Sequence, residues 1–183
     1  MNETLADFLP RPTVILSVGI NPSLHAVRAG YPFAFARNRF WPALNGSRLV
    51  DAPLTPGPAA VLELGRRYGI GFTDVVKRAT PGMRGLTQED FERDAPRFRA
   101  LVRELAPAVL WFHGTVAARA FLLRVGIAES AVEWGEQAYT VDGAHVFIAP
   151  NPSPANARYR LADFIAAYDA LAALRDRVTA ARR

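Results

Sequence analysis

The chain contains no cysteine, which excludes disulfides, iron–sulfur clusters and cysteine-ligated zinc. Histidine is scarce: His25, His113 and His145 are the only three. They lie far apart and outside any H-E-x-x-H or H-x-E spacing, so neither a metal nor another cofactor is expected. Lysine is nearly absent, with Lys77 alone among 22 basic residues. No apolar run reaches the roughly 20 residues needed to cross a membrane. The opening Met-Asn-Glu-Thr lacks the basic region of a signal peptide. The G-x-S-x-G, P-loop and G-x-G-x-x-G signatures are missing as well, which counts against a small-molecule α/β hydrolase or a nucleotide-binding protein. The expectation from these absences is a soluble cytoplasmic protein with no membrane partner; a monomer in a bacterial cytoplasm or nucleoid is expected as well.

What is present suits one domain. The 183 residues are 50% hydrophobic, enough for a real core. Charged residues make up 21% and form no long tract, so flexibility is expected only at the ends, 1–11 and 178–183. The net charge of +5 fits a polyanionic partner, and arginine forks phosphate and stacks on bases better than lysine does. A GC-rich genome would produce the same bias toward arginine and alanine, so the charge alone proves nothing.

Thr13 to Val18 is a short β-branched run that reads as a buried parallel strand. It enters Gly19-Ile20-Asn21-Pro22, and residues 21–40, rich in Gly, Pro and aromatics without a clean period, read as a long functional loop. Pro58 to Tyr68 fits a helix and Gly69 to Val76 a short strand or turn. Thr87 through Asp90 resembles a capping box that opens a helix to about Ala106, with Pro96 expected to break it in two. Pro107 to Phe112 is a second buried strand, followed by a helix over 114–123. Asp142-Gly143 between Tyr139–Val141 and Ala144–Ala149 signals a type I′ hairpin. Leu161, Phe164, Ile165, Tyr168, Leu171 and Leu174 mark the apolar face of a last helix. This order predicts an α/β fold, a central, mostly parallel sheet flanked by helices, in a single domain over 1–183. Ligands bind outside the C-terminal ends of such strands, where loops 19–41, 72–78 and 150–159 would converge.

Two segments carry candidate chemistry. Asn21-Pro22 after a strand aims an amide into the crevice, and Phe33 sits in a loop where a core role is not obligatory. The plainer reading is an ordinary turn with aromatics closing the core. In Asn151-Pro152-Ser153-Pro154-Ala155-Asn156-Ala157-Arg158-Tyr159, prolines stiffen the chain, Ser and Asn can bind phosphate oxygens, and Arg158 can enter a groove. The plainer reading is a stiff loop before a helix, with Ser153 or Asn156 helping to cap it.

Together, GINPS, YPFAFARNRFW, GFTDVVKRAT and APNPSPANARY resemble the mismatch-specific uracil-DNA glycosylases, the branch that includes bacterial Mug and the thymine-DNA glycosylases. The likeness runs over nearly the whole chain in register. It implies the uracil-DNA glycosylase-like fold and base flipping from double-stranded DNA carrying a mismatched or damaged base. It further implies that Asn21 positions the attacking water near C1′, Phe33 stacks on the flipped base, and the backbone at Ile20 bonds the base edge. By the same likeness Ala26 faces the 5-position of a pyrimidine and Asn38 belongs to the base pocket. Asn151, Ser153, Ala155, Asn156 and Arg158 would grip phosphates and wedge the gap. Ser23 stands where the family has Gly, Asn151 where the most efficient members carry a catalytic histidine, and the intercalation loop is one residue longer. Lys77 does not occupy a Schiff-base position, which implies a monofunctional enzyme.

Glycosidic cleavage builds positive charge on the sugar and negative charge on the departing base. An amide can orient water but takes no proton at neutral pH. Asp74, in Thr73-Asp74-Val75-Val76 at the end of the segment over 69–76, is a candidate second catalytic residue, as electrostatic support or base; its plainer role is a turn cap. A non-catalytic DNA-damage-sensing module on the same fold remains the main alternative.

Overall fold

The computed structural model describes residues 4–128 and 131–181. Five strands form one sheet, β1 (Ile15–Gly19), β2 (Ile70–Asp74), β3 (Val109–His113), β4 (Gly135–Val141) and β5 (Ala144–Ala149), in the order β2-β1-β3-β5-β4. All neighbours are parallel except β4, which pairs antiparallel with β5. The helices are α1 (Leu24–Ala29), α2 (Phe40–Asn45), α3 (Pro58–Tyr68), α4 (Gln88–Leu105), α5 (Thr115–Leu122) and α6 (Leu161–Ala180). The α/β architecture expected from the sequence is therefore the observed one.

Period-two alternation splits the core into two layers. Ile15, Phe72, Trp111 and Phe147 face α2, α3 and α6. Leu16, Val18, Leu110, Phe112 and Val146 face α4 and α5. Carried to the strand ends, the same parity puts Ser17, Gly19, Asp74 and His113 on the first face, where polar groups replace the apolar ones at the C-terminal rim.

Several local expectations are corrected. Pro96 does not break α4, which runs uninterrupted from Gln88 to Leu105. Pro96 and Glu92, whose carbonyl loses its helical donor, both lie on the exposed side of the helix. Ala95, Phe98 and Val102 hold both halves on the core. The capping box at Thr87 and Asp90 is formed. Residues 21–40 contain α1 and the start of α2, each six residues long and too short to show a period. β4 begins at Gly135, ahead of the expected Tyr139, with an irregular register between Glu136 and Thr140 that hides the alternation. Asp142 and Gly143 both have positive φ, as the hairpin turn requires. Leu161, expected on the apolar face of α6, is 41% exposed at the helix start.

The N-terminal segment lies along β2: Phe8 exchanges backbone hydrogen bonds with Phe72, and Leu5 is buried. At the other end α6 reaches Ala180; residues 1–3, 182 and 183 of the expected flexible ends lie outside the described residues.

Candidate active site

The three loops meet over the polar end of the first sheet face and enclose a cavity of about 420 Å³. That size suits a single small ring system. Of the residues singled out from the sequence, Asn21, Asp74, Ile20, Ala26, Phe33, Asn38, Asn151, Ser153 and Ala155 all line it. Asn156 and Arg158 do not.

Asn21 is held by a backbone zipper. Val75, Val76 and Thr80 donate their N–H groups to the carbonyls of Gly19, Ile20 and Pro22. The Asn21 Nδ2 donates to Thr80 Oγ1 at 2.7 Å and to the Arg78 carbonyl at 3.0 Å, with the Pro22 carbonyl at 3.3 Å. The orientation of the amide follows from its partners. A carbonyl can only accept, and the Thr80 hydroxyl already donates to the Gly82 carbonyl at 2.9 Å. The nitrogen must therefore face this wall, leaving Oδ1 as an acceptor with no partner among the described residues. Thr80, 3% exposed, is a positioning residue that sequence reasoning missed; its place at the end of GFTDVVKRAT was the only signal. Ser23 caps α1 by accepting from the Ala26 N–H at 3.1 Å, so a hydroxyl does at this turn what a glycine cannot.

Asp74 pairs in register with Gly19 across β1 and β2. A Cβ built on Gly19 would lie 2.2 Å from Asp74 Oδ1; glycine there is what lets the carboxylate lie over the end of β1, beside Asn21. Its carboxylate makes no hydrogen bond to any described residue, whereas its backbone carbonyl accepts from Arg97 at 2.7 Å. Burial raises its pKa to about 7, against the opposing pull of Lys77 and with a small push from Asp7. Neither basic neighbour in sequence neutralises it directly. Lys77 Nζ bonds Asp7 at 2.8 Å and also the Leu5 carbonyl, and Arg78 forks onto Asp90.

Phe33 has φ +57°, a conformation bulky residues seldom adopt. One face stacks on Phe40 with centroids 4.1 Å apart, and His113 meets it edge-on at 4.8 Å. Phe33 thus leans on the core and lines the cavity at once. Asn38, just ahead of α2, accepts from the Phe40 N–H at 2.9 Å, which leaves its Nδ2 uncommitted among the described residues. The Ile20 carbonyl is already taken by Val76.

The 150–159 loop is shaped from within. Asn151 Oδ1 accepts from the Ser153 N–H at 2.9 Å, and Asn156 Nδ2 donates to the Asn151 carbonyl at 3.1 Å. Arg39 pins it from outside. Its guanidinium donates to the carbonyls of Tyr159, Ser153 and Asn156 and lies 4.6 Å from the Phe164 ring centroid. Sequence reading placed Arg39 within a motif but gave it no role. Arg158 is exposed, lies 5.7 Å over the Tyr159 ring and has no carboxylate partner among the described residues.

Among the described residues no cluster of His, Asp and Glu could hold a metal ion, and no helix is long and apolar enough to cross a membrane. The solution NMR structure of a Methanosarcina acetivorans protein proposed to be a uracil DNA glycosylase superposes with a TM-score of 0.62 at 21% identity, covering 93% of this chain and 98% of that one. At that identity the likeness establishes the fold. The model of the uracil DNA glycosylase superfamily matches residues 6–172, nearly the whole chain, and on that match the protein belongs to the uracil DNA glycosylase superfamily.

Proposed function

We propose that this chain is a monofunctional DNA glycosylase of the mismatch-specific branch. It flips uracil, and related damaged or mismatched pyrimidines, out of duplex DNA and hydrolyses the N-glycosidic bond, the first step of base excision repair. The carrying observation is the shared cavity in which the Asn21 amide has its nitrogen tied to Thr80 and Arg78 and its oxygen uncommitted among the described residues. An acceptor fixed in this way can orient a water for attack on C1′. Asp74, beside it, supplies negative charge for the sugar cation, and the charge acts most strongly once DNA has excluded water. A carboxylate with a pKa near 7 is also a proton acceptor matched to neutral pH.

Phe33 offers its ring to the flipped base. The loop at Asn151, Ser153, Ala155 and Asn156 contacts phosphates, and exposed Arg158 enters the gap the base leaves. The commitment of Lys77 to Asp7 and the Leu5 carbonyl supports hydrolysis without a lyase step. The small Ala26, 4% exposed on the cavity wall, leaves room at the 5-position, so weak cleavage of G·T or 5-substituted uracils should accompany cleavage of G·U. A single protomer carries the whole site, in keeping with a monomer.

A single-turnover panel of duplexes with G·U, A·U, G·T and G·ethenocytosine, beside single-stranded uracil, tests this reading. Abasic product from G·U supports it. Salt-sensitive DNA binding with no product from any substrate would leave a damage-sensing module instead.

A further inference from the structure

His113 plays no part in the chemistry above, yet it is the most unusual residue of the cavity wall. It closes β3 at a position where the inward parity of Val109 and Trp111 calls for an apolar side chain. It is 3% exposed, and its ring touches Phe33, Phe40 and Trp111 at 4.8, 5.8 and 4.4 Å between centroids. Among the described residues one hydrogen bond serves it, 2.8 Å between Nε2 and the hydroxyl of Ser17, itself 1% exposed, and its Nδ1 is buried without a partner there. Both Ser17 and His113 line the cavity. A buried pair of polar side chains packed beside Phe33, Phe40 and Trp111 costs desolvation that apolar residues of equal volume would not. A stability role does not account for it.

We propose that Ser17 and His113 form a specificity-determining pair that hydrogen-bonds the polar edge of the flipped pyrimidine. The inference rests on the glycosylase reading and assigns the cavity floor that this reading leaves open. Burial lowers the His113 pKa to about 3, so the ring is neutral at any working pH and carries one ring proton. That proton sets the direction of the pair. With Nε2–H donating to Ser17, the hydroxyl proton is free to meet a base carbonyl. With Ser17 donating to Nε2, the Ser17 oxygen is free to accept from an amino group. One geometry thereby serves keto and amino edges at no change in charge. The Phe33 ring, edge-on to His113, sets the plane in which a stacked base would bring that edge to the pair.

The test joins spectroscopy to variants. A duplex carrying 2′-fluorodeoxyuridine opposite guanine resists cleavage, because the fluorine destabilises the sugar cation. Ring 15N shifts of the three histidines, assigned with single variants, are recorded as this duplex or a fully paired one is added. The His113 ring nitrogens should move with the uracil analogue and stay in place with the paired duplex. His113→Phe, which fills the ring volume, should keep or raise Tm and leave paired-duplex affinity unchanged. It should slow G·U cleavage at least tenfold, with Ser17→Ala behaving alike and His113→Gln recovering part of the rate. Unmoved His113 shifts, or a lowered Tm with unaltered cleavage in both variants, would overturn the pair while leaving the glycosylase reading intact. A wild-type protein that cleaves no uracil duplex refutes the glycosylase reading itself, and the pair falls with it.

Discussion

Asp74→Asn should make the protein more stable and less active at once, with both effects tied to one ionisation. The Asp74 pKa is raised from 3.8 to about 7, chiefly by burial. For a group whose folded pKa is raised, the stabilising contribution is complete below the unfolded value and disappears as pH climbs through the folded one. At about 1.4 kcal/mol per unit, ionising Asp74 in the fold costs at most about 4 kcal/mol by pH 8, the figure being reduced by water in the open cavity. Asp74→Asn removes that cost and should raise Tm by up to roughly 10 °C at pH 8, for a chain of this length, and by nothing below pH 4. Single-turnover G·U cleavage should move the other way. In the wild type the rate should rise with pH through about 7, as the carboxylate charges. In Asp74→Asn it should fall by at least as much as in Asn21→Ala, with DNA affinity unchanged. Gly19→Ala provides an independent approach, because its Cβ would displace Asp74 Oδ1. It should cost much of the Asp74 rate contribution in the wild type and little in an Asp74→Ala background. Differential scanning calorimetry across pH 4–9, beside quenched-flow cleavage, reads both quantities. A wild-type cleavage rate in Asp74→Asn, flat across this range, would reduce Asp74 to a turn carboxylate and refute the argument.

Further outcomes follow from the same geometry. Asn21→Ala should leave duplex affinity nearly intact and lower single-turnover cleavage by about two to four orders of magnitude; equal rates would remove Asn21 from the reaction. Phe33→Ala should weaken capture of a flipped base by about 1–3 kcal/mol, measured as the affinity difference between a G·U analogue and a paired duplex. A change confined to Tm would make Phe33 purely a packing partner of Phe40. Arg158→Ala should impair cleavage of duplex more than of single-stranded uracil, since only a duplex leaves a hole to fill, and equal losses would mean a simple phosphate contact. Arg39→Ala should free the 150–159 loop, seen as faster limited proteolysis there and weaker duplex binding. Arg39→Lys should not restore it, because a single ammonium cannot reproduce a planar fork spread over three carbonyls.

The sequence by itself determined the layers and the order of the elements. Thr13–Val18 and Pro107–Phe112 announce buried strands because parallel strands covered on both faces need unbroken apolar runs. Asp142-Gly143 announces its turn because both residues must take positive φ there. The crevice position of the loop carrying Asn21 and Phe33 followed from its place after a parallel strand, whereas its residues by themselves read more plainly as an ordinary turn with aromatics closing the core. What sequence could not show depends on contacts between distant segments. Thr80 matters only because it meets Asn21 across 59 positions, and Arg39 because it meets carbonyls more than 110 positions away. Pro96 looked like a break because local rules count the missing hydrogen bond, whereas packing of Ala95 and Phe98 decides the helix. The raised pKa of Asp74 and the neutrality of His113 exist only once the fold has withdrawn them from water. Neither shift is a property of a carboxylate or an imidazole in a chain; each arises from burial, and burial is decided by the tertiary structure alone.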